Sequence, residues 1–142
     1  MRLLNRFQPL GLLAMRIALG VIMIAHGYPK VFGGMQGTVG FITKLGFPAW
    51  MAYLSAYTEL FGGVLLLLGL FTRVAATGIF IDMVVAIAKV HWKNGLRGNG
   101  GYEFPMALAA LGFALIFFGA GPIAIDALFG RRGAPRKAIS QK

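Results

Sequence analysis

No cysteine occurs among the 142 residues, so the chain itself offers no disulfide, thiolate metal site, iron–sulfur ligation or thiol relay. Acidic residues are nearly as scarce: Glu59, Asp82, Glu103 and Asp126 are the whole set. Charged residues of both signs make up 13%, where a soluble domain carries about a quarter. That shortage excludes an ordinary water-soluble globule. No metal site is expected.

Apolar residues fill the gap: 58% of the chain is hydrophobic, and mean hydropathy is +0.74. The length permits one compact domain. Four stretches are each long enough, at 1.5 Å per helical residue, to cross or nearly cross a hydrocarbon layer of about 30 Å. They run from Leu10 to Gly27, Pro48 to Leu70, Val74 to Trp92 and Phe104 to Gly121. An all-α integral membrane four-helix bundle follows, one domain over residues 1–130, with a basic tail over 131–142. Pro29, Gly33 and Gly34 are read as ending the first helix, and the second and third are joined by a turn at Phe71, Thr72 and Arg73. Residues 34–47 read as a short interfacial helix or re-entrant loop. Arg16 interrupts the first apolar run and no small-residue cleavage site follows, so that run is expected to remain as an anchor rather than a removed signal.

The basic residues outnumber the acids by fourteen to four, a net charge of +10. In a soluble protein this would suggest nucleic acid; here the bases gather at span boundaries, and no nucleic-acid partner is expected. With four spans, Arg2, Arg6, Arg73 and the tail bases Arg131, Arg132, Arg136, Lys137 and Lys142 share one side, and Lys30, Lys44, Lys89, Lys93 and Arg97 the other. The positive-inside rule then places both termini in the cytoplasm; the expected location is a plasma membrane, the bacterial inner membrane. The tail cluster could also meet anionic lipid.

Three ionisable residues lie within spans, where each costs a few kcal/mol and is a functional candidate by default. Arg16 lies ten residues, about 15 Å, before His26; Glu59 lies eleven residues, about 16 Å, after Pro48; Asp82 lies nine residues, about 14 Å, after Arg73. These depths predict an Arg16–Glu59–Asp82 cluster at mid-membrane. Helical spacing places small residues beside each: Gly20 and Gly27 with Arg16, Ser55, Gly62 and Gly63 with Glu59, Gly78 and Ala86 with Asp82. Such residues let membrane helices approach closely, as would an Ala107, Ala110 and Ala114 stripe on the fourth helix. The cluster reads in three ways: an ion network that fixes helix register, a proton-coupled pair, or an anchor for a polar ligand.

A second group gathers at the opposite rim: His26, Tyr28 and Lys30, then His91 and Trp92, then Glu103. Aromatic residues at headgroup level form an interfacial belt, and lysines there snorkel toward water. The same residue types donate hydrogen bonds to carbonyls, which suits a quinone headgroup. Two histidines on different helices also invite haem b ligation, but no second histidine pair is present, and haem is not expected. No covalent cofactor is expected either.

Several short patterns, in order, resemble the DoxX family of small four-helix membrane proteins. They are R-x-x-L-G from Arg16 and H-G-x-x-K from His26, then E-L-x-G-G from Glu59 and L-L-L-G-L-x-T-R from Leu66. G-x-E-x-P from Gly101 and G-P-I-A-I-D from Gly121 complete the series, with Ala124 where the family often carries serine. The resemblance implies an accessory or quinone-interacting subunit of a membrane oxidoreductase complex, with other subunits as partners and oligomer formation open. It assigns no reaction to any residue. The alternatives are a small proton-coupled transporter using Glu59 and Asp82, or a structural membrane subunit without chemistry.

Overall fold

The computed structural model describes residues 2–130, which are helical with no strand among them. A short turn, α1 (Arg2–Asn5), precedes the first long helix, α2 (Gln8–Phe32). Helix α3 (Met35–Lys44) follows, then α4 (Trp50–Leu68) and α5 (Thr72–Ala86). The axis of α5 continues through a π turn at Ile87–His91 and a 3-10 turn at Trp92–Asn94. Helix α6 (Glu103–Phe118) and the short α7 (Ile125–Gly130) complete the described chain. The basic tail lies outside the described residues.

Three helices are long and apolar enough to cross a membrane: Gln8–Phe32, Trp50–Leu68 and Thr72–Asn94, and only 28, 39 and 22% of their most apolar windows is buried inside the protein. Most of their apolar surface therefore faces outward, as lipid contact requires. Helix α6 is also apolar but has 16 residues.

The boundaries have local causes. Pro29 does not end α2, as the sequence suggested; the helix runs on to Phe32, and the chain turns at Gly33 and at Gly34, where φ is 156°. Proline removes one N–H from the ladder, a loss that apolar helices with close neighbours tolerate. Helix α4 stops in a Schellman motif: Gly69 takes the left-handed conformation at φ 64°, its N–H reaches Leu66 O at 3.1 Å, and Leu70 N–H reaches Leu65 O at 3.0 Å. The 34–47 stretch is helical over Met35–Lys44, and none of its residues is buried.

Helices α2 and α4 run antiparallel and touch through glycine. A Cβ on Gly27 would lie 2.5 Å from Leu60 N, and one on Gly63 would lie 2.7 Å from Gly20 O. Backbone meets backbone along this seam, the close approach that small residues permit between apolar helices. Leu19, Met23, Leu66, Ala76, Ile79, Leu108 and Leu115 form the core beside it. Helix α6 turns Leu108, Ala109, Gly112 and Leu115 inward, not the alanine stripe expected from spacing; Ala107 and Ala110 are exposed. Gly112 faces Ala76 and Phe80 of α5, where a Cβ would reach ordinary contact distance.

Gly27→Ala is expected to destabilise the protein by about 1–3 kcal/mol, the usual range for overpacking. Gly11→Ala, where a Cβ meets nothing within 4 Å, is expected to leave stability unchanged or slightly raised. Thermal unfolding of the two variants in one detergent checks the contrast.

Candidate functional site

The three ionisable residues expected at mid-membrane do not form one cluster. Arg16 is 1% exposed, and its guanidinium donates entirely to backbone carbonyls. Nε reaches Leu66 O at 2.9 Å and Nη2 reaches Leu67 O at 3.1 Å, while Nη1 reaches Ala120 O at 2.8 Å and Ile123 O at 2.7 Å. Two of these carbonyls belong to the last turn of α4, and two to the bend after α6. Helical side chains lean toward the N-terminus of their own helix. The Arg16 head therefore lies at the end of the bundle rather than at its middle. A carbonyl at a helix end has no partner within its helix, and a planar guanidinium with five N–H donors can satisfy several at once.

Asp126 finishes the same end. Its two carboxylate oxygens accept from Phe71 N–H at 2.8 Å and Thr72 N–H at 2.9 Å, capping the start of α5, while Asp126 N–H donates to Gly69 O at 2.8 Å. A carboxylate at a helix N-terminus is favoured by unpaired N–H groups and by the dipole. The sequence had assigned Asp126 no task; an acid two turns beyond the last span gave no hint that it reaches back 55 residues.

At the other end of the bundle, Lys30 meets Glu59, with Nζ 2.6 Å from Oε1. Glu59 is 4% exposed, whereas the Lys30 side chain is one-third exposed. The second carboxylate oxygen of Glu59, Oε2, is buried and has no hydrogen-bond partner. Lys30 and Glu59 line a cavity of about 510 Å³ between α3, α4 and α5, together with Asp82, Ser55, Thr58 and Lys89. Apolar side chains complete the wall, among them Phe41, Ile42, Met51, Leu54 and Ile81. Lys89, within the π turn, holds its ammonium 5.6 Å from the Phe47 ring centroid, a cation–π distance. Volume, apolar lining and a few convergent polar groups are the attributes of small-molecule sites.

The remaining rim residues do not line this cavity. His26 is exposed, with Nδ1 2.9 Å from Ile22 O of its own helix and its ring centroid 6.0 Å from that of Phe104. His91 Nδ1 lies 2.7 Å from Gly100 O, a carbonyl that also accepts from Asn94. Trp92 stacks on Tyr102 with centroids 5.5 Å apart, Tyr28 tilts against Phe32, and Glu103 is exposed in the first turn of α6. Among the described residues, no group of three or more His, Asp or Glu is placed to hold a metal ion.

The family model described as DoxX matches residues 11–92, more than half of the chain. The chain belongs to the DoxX family. It is 36% identical over 112 residues to a Bacillus subtilis protein named "Putative oxidoreductase CatD", covering 79% of this chain and 83% of that one. An uncharacterised Haemophilus influenzae protein is 32% identical over 134 residues, 89% of this chain and 96% of the relative. The inner membrane protein YphA of Escherichia coli is 36% identical over 88 residues, 60% of this chain and 62% of that protein. No solved structure matches the chain. It is thus a DoxX-family membrane protein with several apolar helices in contact with the bilayer.

Arg16→Met is expected to destabilise the fold by at least about 2 kcal/mol, because it strands buried carbonyls that cost about 1–3 kcal/mol each when left unpaired. Asp126→Asn, which keeps the shape and loses the charge, is expected to cost less, about 0.5–2 kcal/mol, the range for a lost cap. Thermal unfolding of both variants checks the order; equal effects would overturn it.

Proposed function

We propose that this chain is an accessory, quinone-interacting subunit of a membrane redox assembly, resident in a bacterial inner membrane. In this reading α6 is a fourth span, and both termini lie in the cytoplasm. The observation that carries the proposal is the cavity under α3, apolar over most of its wall and polar at Lys30, Glu59, Ser55 and Asp82. A quinone has an apolar ring and tail with two polar oxygens, and that distribution matches such a lining. The printed name of the Bacillus subtilis relative supports the redox half of the reading.

The site therefore differs from the rim set expected from sequence. Lys30 remains in it, and Glu59 and Asp82 join it from the intramembrane set. Within the proposal His26, Tyr28, His91, Trp92 and Glu103 belong to the interfacial belt and its loops, and Arg16 is structural. A bound quinone supplies two-electron, two-proton chemistry; what the chain contributes is a dry, shaped cavity and charged groups within it. Partner subunits would supply the electron path.

The second reading, a proton-coupled transporter, draws on the same cavity, because two carboxylates line it and one has a buried oxygen without a donor. It requires flux driven by a pH gradient in liposomes, abolished in Glu59→Gln.

For the quinone reading, purified protein is expected to bind a short-chain ubiquinone. Ala86→Phe, which fills the cavity, should weaken binding about tenfold or more, the effect of losing a little over 1 kcal/mol. His26→Ala should leave it unchanged. Binding lost in His26→Ala and kept in Ala86→Phe would return the site to the rim. A protein that binds no quinone and copurifies with no redox partner would end the proposal.

A further inference from the structure

The polar groups of the cavity are unevenly supplied with partners, and the imbalance bears on which ligand fits. Glu59 is held by Lys30 through Oε1 alone, at 2.6 Å. Oε2 is buried, lies on a residue that lines the cavity, and has no donor. An ionised carboxylate only accepts hydrogen bonds. A buried acceptor left unpaired is costly, so a ligand that brings a donor is favoured over one that does not.

From this unpartnered oxygen we infer that the cavity selects the reduced, hydroquinone form of its ligand over the quinone. The inference rests on the quinone-interacting reading above and deepens it. A hydroquinone hydroxyl both donates and accepts: it can donate a hydrogen bond to Glu59 Oε2 and accept one from the Lys30 ammonium, which has two further N–H groups beyond the one directed at Oε1. A quinone carbonyl only accepts. It satisfies Lys30, leaves Oε2 unpaired, and sets two oxygen lone pairs against each other.

A site built around a substrate hydroxyl rejects the analogue that lacks it far more strongly than a hydrophobic pocket distinguishes a methylene. Asp82 lines the same wall, and the preference belongs to the state in which Asp82 is ionised and adds a second acceptor to the demand for donors; a protonated Asp82 would itself donate to Glu59. Ser55 and Thr58 each bring a hydroxyl to the wall, yet neither is hydrogen-bonded to Oε2. The chain's own contribution is recognition alone; no electron transfer is assigned to it.

The test is equilibrium binding of decylubiquinol and decylubiquinone to the full chain in nanodiscs, under anaerobic conditions, with each form held by its redox buffer. The expected result is a Kd about tenfold or more lower for the quinol. Glu59→Gln places an amide N–H₂ where the carboxylate was, so it is expected to erase the preference or to reverse it in favour of the quinone. Should Glu59→Gln fail to fold, the ratio in the unaltered protein still decides the matter. Equal affinities, or tighter quinone binding, with both lost in Ala86→Phe, overturn the quinol preference and leave the quinone site standing. If neither compound binds the unaltered protein, the site and the preference fall together.

Discussion

Backbone polar groups cannot be left without partners in an apolar surrounding, and the Arg16 guanidinium meets that requirement for two chain segments at once. Its four hydrogen bonds join the last turn of α4 to the bend after α6. Asp126 adds the first turn of α5 to the same knot. Gly69 sits between them: it is left-handed as the helix ending requires, and a Cβ there would press on the Arg16 guanidinium. Glycine is needed at this position for two separate reasons, conformation and space. With one end tied in this way, the α2–α4 glycine seam sets how closely those two helices pack, while the far end is left looser.

That asymmetry divides the molecule by task. The Arg16 end spends its charges on the backbone, in contacts that fix geometry. At the Lys30 end, charges meet side chain to side chain beside a cavity, and one carboxylate oxygen is left over. Helix α3 covers this end with no buried residue of its own, with glycines at 37 and 40 inside it and at 34 and 46 in the flanking turns. Few buried apolar contacts mean low local stability, so the cover over the cavity is held much less firmly than the helices beneath it.

The long apolar helices were legible in the sequence, because length and hydropathy leave little choice for such runs. Their ends shifted by a few residues, most at Pro29. Glu59 and Asp82 line one cavity, but Arg16 stands apart from them, for two physical reasons. Depth was counted along each helix as though the helices began level, but Gly27 packs on Leu60. That contact lies five residues from the end of α2 and ten from the start of α4, an offset of roughly 7 Å. Depth was also assigned to Cα positions, whereas Arg and Lys heads travel several ångströms along their stems. Arg16 moved toward one end, and Lys30, placed at the rim, reached Glu59. Arginine partners that are carbonyls leave no trace in side-chain pattern at all. The inward glycines beside Arg16 and Glu59 were readable, since small residues at helical spacing need a close neighbour.

The acceptors of Arg16 also bear on how the protein is made. Ile123, whose carbonyl takes the shortest of the four bonds, is 107 residues away in the chain. Synthesis runs from the N-terminus, so α2 leaves the ribosome long before that carbonyl exists. During that interval the guanidinium must be hydrated, or draw toward the headgroups, at a cost of a few kcal/mol to helix insertion. Helix α2 is thus not self-sufficient in lipid when it is alone. Its final seat depends on the bend after α6, whose acceptor carbonyls lie more than a hundred residues further along the chain.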